Sequence, residues 1–117
     1  MRVVHDGEPI ATEVEVADSF LARARGLMFR RPLPADGALV FPFEAAASRS
    51  VHMAFVTFPI DAVWVLGGTV EHVKRLAPWV GLGRARADTL IELPAGTAAA
   101  AGVAPGDPIG VEGEREI

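Results

Sequence analysis

Four ionisable side chains are set among apolar or turn-forming neighbours, and their types could do chemistry together: Arg25, His52, Asp61 and Glu92. Arg25 precedes Gly26 at the end of a helical run. Its guanidinium could clamp a carboxylate or phosphate at two points, or cap the last helical carbonyls with the favourable sign relative to the dipole. His52 interrupts an apolar β run; an imidazole with an ordinary pKa of about 6.5 suits a proton carrier, and a hydrogen-bonded core or rim residue is the plainer reading. Asp61 follows Pro59-Ile60 at a strand boundary, where it could pair with His52 or an arginine, or satisfy backbone N–H groups of a turn. Glu92 lies between Ile91 and Leu93, so it either faces solvent or is buried and paired. A buried carboxylate needs a cation, which leads to the expectation of an Arg25–Glu92 or Arg25–Asp61 ion pair. If the four converge, Arg25 is the anion clamp, His52 the proton carrier or donor, and Asp61 and Glu92 the orienting carboxylates.

A second group could wall such a site. Trp79, Arg84 and Arg86 flank Gly81-Leu82-Gly83 in a segment that reads as an irregular loop from Ala77 to Ala87, and aromatic and guanidinium groups on a loop can line a ligand groove. A G-x-G outside a strand–helix frame is a weak phosphate signature. A Ser50–His52–Asp61 hydrolase can be drawn on paper, but no G-x-S-x-G elbow supports it. The three histidines (His5, His52 and His72) are far apart, and neither H-x-H nor H-E-x-x-H occurs, so no metal site and no cofactor are expected. The Arg30-Arg31 doublet reads as a solvated loop feature.

The elements that must position these residues are short. Arg2 to His5 and the alternating run from Ile10 to Val16 read as a hairpin about Asp6-Gly7. Asp18 and Ser19 are N-cap residues for a short helix in which Phe20, Leu21, Ala24 and Leu27 recur, with Gly26 as its stop. Ala38 to Phe43 resumes β character, and Arg49 to Phe58 reads as a central strand that is apolar on both faces. Ala62 to Leu66 and Thr69 to Leu76 form a hairpin closed by Gly67-Gly68. Thr89 to Leu93 is a further strand, Thr97 caps an alanine helix over Ala98 to Ala101, Ile109 to Glu112 is the last strand, and 113–117 is a frayed tail. The predicted class is mainly β, with α+β at the margin: a small antiparallel sandwich or partly closed barrel with two short helices in one domain, 1–117.

Composition narrows the chemistry further. Cysteine, tyrosine, asparagine and glutamine are all absent, and Lys74 is the only lysine. Thiol nucleophiles, disulfides, zinc ribbons and iron–sulfur clusters are therefore excluded. A net charge of -4 disfavours a broad nucleic-acid or anionic-membrane surface. Arg2, His5, Asp6 and Glu8 break up the first ten residues, and His52, Thr57, Pro59 and Asp61 interrupt the longest apolar stretch, so the expectation is a cytoplasmic domain without a membrane association.

The ordered motifs carry a family resemblance. Arg23-Ala24-Arg25-Gly26-Leu27-Met28 resembles the R-x-R-G-L-M segment of the domain of unknown function 192 (DUF192) family. Gly37-Ala38-Leu39-Val40-Phe41, His52-Met53, Pro59-Ile60-Asp61-Ala62-Val63, Leu90-Ile91-Glu92-Leu93, Ala95-Gly96 and Gly102 to Asp107 follow in the family's order. The resemblance implies a small, mainly β domain without an assigned activity. Where many members have W-M-K-N-T, this chain has His52-Met53-Ala54-Phe55-Val56-Thr57. The function expected from these features is a ligand-binding or accessory module, its partner an unidentified small molecule or protein and its oligomeric state open. The alternative is a hydrolase acting on a small polar substrate through His52 and a carboxylate.

Overall fold

Period-two alternation of apolar residues does set the architecture, on one long sheet that is buried on both sides. A computed structural model describes residues 1–113, apart from the side chains of Phe20 and Leu21. The expectations for those two side chains and for the tail 114–117 lie outside the described residues. In chain order the elements are β1 (Arg2–His5), β2 (Glu8–Ala11), β3 (Glu13–Val16), α1 (Phe20–Arg25), β4 (Gly37–His52), β5 (Ile60–Leu66), β6 (Thr69–Leu76), β7 (Leu82–Pro94), α2 (Thr97–Ala101) and β8 (Ile109–Glu112). One sheet has the order β2-β1-β8 and the other β3-β4-β7-β5-β6. The fold is the sandwich of the two expected forms, with no closed barrel. One ladder departs from the antiparallel expectation: β3 runs parallel to β4, with Val14 opposite Ala38 and Val16 opposite Val40.

The two faces of the five-stranded sheet have separate partners. Ala38, Val40, Val63, Val65, Ile91 and Leu93 pack with Val3, Ala11 and Ile109 of the small sheet and with Ala98 of α2. Leu39, Phe41, Ala62, Trp64 and Leu90 point the other way, under Leu27, Leu33, Met53, Val56 and Phe58 of α1's exit and the connecting loops. One face is thus covered by regular structure and the other by loops. The cleft that Glu92 borders lies on the loop-covered side.

Several boundaries differ from the sequence expectation, each for a physical reason. The run Ile10 to Val16 breaks at Thr12, so β2 joins the small sheet and β3 the large one. β4 is one long strand rather than two. Its alanine-rich middle has little β-propensity of its own and is held by pairing with β7, Ala47 opposite Ala87 and Ser48 opposite Arg86, after a register shift between Pro42 and Ala47. The strand ends at His52, not Phe58: Val56 N–H closes a turn on Met53 C=O, and Phe55 takes a φ of 61°. β7 begins at Leu82, inside the expected loop. There Gly83 lies under Trp64, and a Cβ at Gly83 would land on the indole ring. The Gly67-Gly68 turn closes β5 to β6 as expected, with both φ values positive.

Both helices depend on caps. Ser19 Oγ accepts from Ala22 N–H at the start of α1. At α2 the cap is not Thr97: the N-cap is Gly96, without a side-chain cap of its own, and Asp61 of β5 accepts from Gly96 N–H at 2.9 Å and Ala98 N–H at 3.0 Å. Asp61 is 3% exposed, and its other oxygen accepts from Arg75 Nε at 3.1 Å. Among the described residues no helix is long and apolar enough to cross a membrane.

Replacing Asp61 by Ala leaves two backbone donors at α2 and the Arg75 guanidinium without their acceptor. The expected cost is roughly 2–4 kcal/mol in urea denaturation. A loss below about 0.5 kcal/mol, the level of an ordinary surface change, would contradict this role.

Candidate functional site

Glu92 follows Leu90 by two residues in β7, so its side chain emerges on the loop-covered face, opposite Leu39 of β4 and Ala62 of β5. The chain leaving α1 passes directly over it. Gly26, at φ 51°, comes so near that an added Cβ would meet the Phe41 ring at 3.4 Å and Glu92 Oε1 at 4.0 Å. Those are ordinary contact distances, so it is the positive φ, which side chains rarely adopt, that calls for glycine here.

The result is a cleft of about 330 Å³ with Glu92 in its wall, a volume at the lower end of the ordinary range for small-molecule sites. Its apolar lining comes from Leu27, Phe41, Val51, Met53, Ile60 and Leu90, and Arg23, Arg25, Arg49 and His52 also border it. Glu92 is 5% exposed and makes no hydrogen bond or ion pair with any described residue. Burial pushes its carboxyl from the usual 4.5 up to about 8, because the ionised form loses water and gains no cation. At neutral pH it is therefore a neutral acid, able to donate one hydrogen bond and accept others.

The predicted site residues do not all come together. Arg25, His52 and Glu92 all border the cleft, but the expected Arg25 ion pairs do not form. Arg25 is exposed, and its Nε donates to Met28 C=O at 3.3 Å. Glu92 meets the cost of burial by holding a proton instead of a guanidinium. Asp61 lies on the opposite face of the sheet, in the α2 cap described above, because odd and even positions of β5 point to opposite sides. His52, at the exposed end of β4, accepts from Ala54 N–H on Nδ1 at 3.2 Å, and no described carboxylate hydrogen-bonds to it. Ser50, the drawn hydrolase's nucleophile, accepts from Arg84 Nε at 3.1 Å instead.

Trp79 and Arg84 are outside the cleft lining. Trp79 belongs to an exposed aromatic group: Phe29 stacks on Phe55 with centroids 4.7 Å apart, and Phe55 meets Trp79 edge-on at 5.6 Å. All three residues have positive φ, and their turns are tied by Phe29 N–H to Phe55 C=O and Trp79 N–H to Val56 C=O. This group fastens together the loops that bear Leu27, Met53 and Val56 of the cleft wall.

Sequence reasoning missed Arg49 and Arg23. Arg49 shares its strand parity with Val51 and Met53, so an arginine at a core-facing position was the available signal. Its Nη2 donates to Ala45 C=O at 2.7 Å, and its guanidinium lies 3.9 Å from the Phe43 ring centre, over the bulged part of β4. Its Nε is buried without a hydrogen-bond partner. Trp64 fixes the backbone there, its Nε1 donating to Arg49 C=O at 2.8 Å. Among the described residues no cluster of three or more His, Asp or Glu could hold a metal ion.

The DUF192 family, described as uncharacterized ACR, matches residues 1–111. A UPF0127 protein of Pyrococcus horikoshii is 41% identical over 88 residues, covering 72% of this chain and 74% of the relative. A Sinorhizobium meliloti crystal structure, provisionally named a transcription regulator, superposes with a TM-score of 0.77 at 27% identity, over 83% of this chain and 79% of the other. A Novosphingobium aromaticivorans structure of unknown function superposes with a TM-score of 0.81 at 23% identity, over 94% and 84% respectively, and shows the shared fold.

Because Glu92 titrates at about 8 in the folded chain and near 4.5 when exposed, the native state holds the extra proton between those values. Stability therefore falls as pH rises through that window and levels off above it. Glu92→Gln, which mimics the neutral acid, should lose less stability than the wild type between about pH 5 and about pH 9, by a few kcal/mol in urea titrations. Identical pH profiles for the two proteins would contradict the buried neutral carboxyl.

Proposed function

The chain belongs to the DUF192 family, and from that premise we propose that it is a small-molecule-binding domain whose site is the cleft beside Glu92. The observation that carries the reading is a carboxyl that is 5% exposed, borders a cavity and has no partner among the described residues. A buried polar group without a partner costs about 1–3 kcal/mol. Leucine or methionine would fill the same position on the sheet without that penalty. A carboxyl held there makes physical sense when a ligand completes its hydrogen bonding.

The cleft has the other attributes of such a site: apolar walls, a few convergent polar groups, and one group with a strongly displaced pKa. The hydrolase alternative asks for His52 and a carboxylate in hydrogen-bond reach. With His52 Nδ1 engaged by Ala54 N–H, no observation favours it over binding.

Thermal-shift screening of metabolites, sugars and nucleotides should therefore give hits. A ligand at about 100 times its Kd stabilises by about 2.7 kcal/mol, which for a domain of this size is a shift of roughly 10 °C. Glu92→Leu should raise the ligand-free Tm and abolish the response. Hits that survive unchanged in Glu92→Leu would place binding elsewhere. A blank screen across these classes would favour a protein partner instead.

A further inference from the structure

We propose that the cleft takes an organic oxyanion, a small apolar body carrying one carboxylate or phosphate head, with the head drawn to the arginines that border the cleft, Arg23, Arg25 and Arg49. The inference rests on the binding role proposed for the cleft and names its ligand class.

The cation count at the cleft runs against the charge of the whole chain. The protein carries a net charge of -4, yet three arginines border this one cavity. None of them forms an ion pair with a described carboxylate; the arginines that do are Arg2, Arg30 and Arg75. Arg23 spends one nitrogen on Asp18 C=O, Arg25 one on Met28 C=O, and Arg49 one on Ala45 C=O. Those backbone bonds occupy part of each guanidinium without neutralising its charge. Arg49 Nε is buried and unbonded as well, a donor in place with nothing to receive it. Glu44, which lines the adjoining groove with Arg23 and Arg49, makes no ion pair with either. Planar guanidiniums with open donors match carboxylate and phosphate oxygens at two points.

The rest of the cleft sets the body of the ligand. Phe41, Val51, Met53, Ile60 and Leu90 offer hydrocarbon contact, and about 330 Å³ admits a ring or a branched acyl chain rather than a nucleotide. The Glu92 carboxyl, neutral at physiological pH, does not repel an incoming anion and can donate to an uncharged acceptor on it.

The test uses the full chain and four probes of one shape: benzoate, phenyl phosphate, benzyl alcohol and benzylamine, titrated by amide NMR. Benzoate or phenyl phosphate should shift the resonances of Gly26, Val51 and Met53 and bind at least about tenfold more tightly than benzyl alcohol, with benzylamine weakest. The benzoate and phosphate arms separate the two head groups. Arg25→Gln, at an exposed position that should leave folding intact, should weaken the better anion about tenfold and leave benzyl alcohol unchanged. Equal or tighter binding of benzyl alcohol or benzylamine in the cleft overturns the oxyanion proposal while supporting the cleft as a binding site. Failure of both anions to shift those resonances also overturns it, and Thermal-shift hits that depend on Glu92 then decide the binding role separately.

Discussion

Moving a carboxylate from water into an apolar interior without a counter-ion costs several kcal/mol or more, and proteins usually avoid that cost by protonation. Glu92 is under this constraint, and the arrangement around it follows. Its strand lies in the middle of a five-stranded sheet, between β4 and β5, so it is approached from the face of the sheet and not from an edge. The chain leaving α1 closes over it at Gly26, whose backbone passes within van der Waals reach of Phe41 and Glu92. The cleft remains open, and the neutral carboxyl sits among its apolar lining with arginines and His52 at the border.

The sheet separates two acids that look alike in the sequence. Asp61 and Glu92 each stand in an apolar strand, and both are buried. Asp61 faces the small sheet and α2, where two backbone N–H groups and Arg75 use both of its oxygens. Glu92 faces the loops and has no such partners. The first is a structural acid with both oxygens engaged. The second has no partner among the described residues, and the binding role proposed for the cleft rests on that difference.

Much of this was legible in the sequence and some of it could not be. The β5–β6 hairpin was legible because Gly67-Gly68 leaves few other turns open, and α1 because Ser19 and Gly26 mark its ends. Alternation placed Glu92 on one face of β7 but could not say which acid would find a cation, since Arg75 reaches Asp61 only through the pairing of β5 with β6. The length of β4 was hidden because its alanine-rich middle has little strand preference of its own: Ala45 and Ala46 lie in the register shift, and pairing with β7 resumes only at Ala47. The start of β7 was hidden because Gly83 reads as a loop residue until Trp64 is seen beneath it. Arg49 was overlooked for a related reason: its Phe43 neighbour comes near only through the β4 bulge.

The central claim is the ionisation state of one side chain, and it can be read directly. Carbon-13 NMR of the glutamate carboxyl carbons, assigned with Glu92→Gln, follows each acid through its own titration. The account predicts a Glu92 midpoint at about 8, with burial as its cause. A midpoint at the ordinary 4.5 would mean that Glu92 is solvated or paired, and would contradict the site as described.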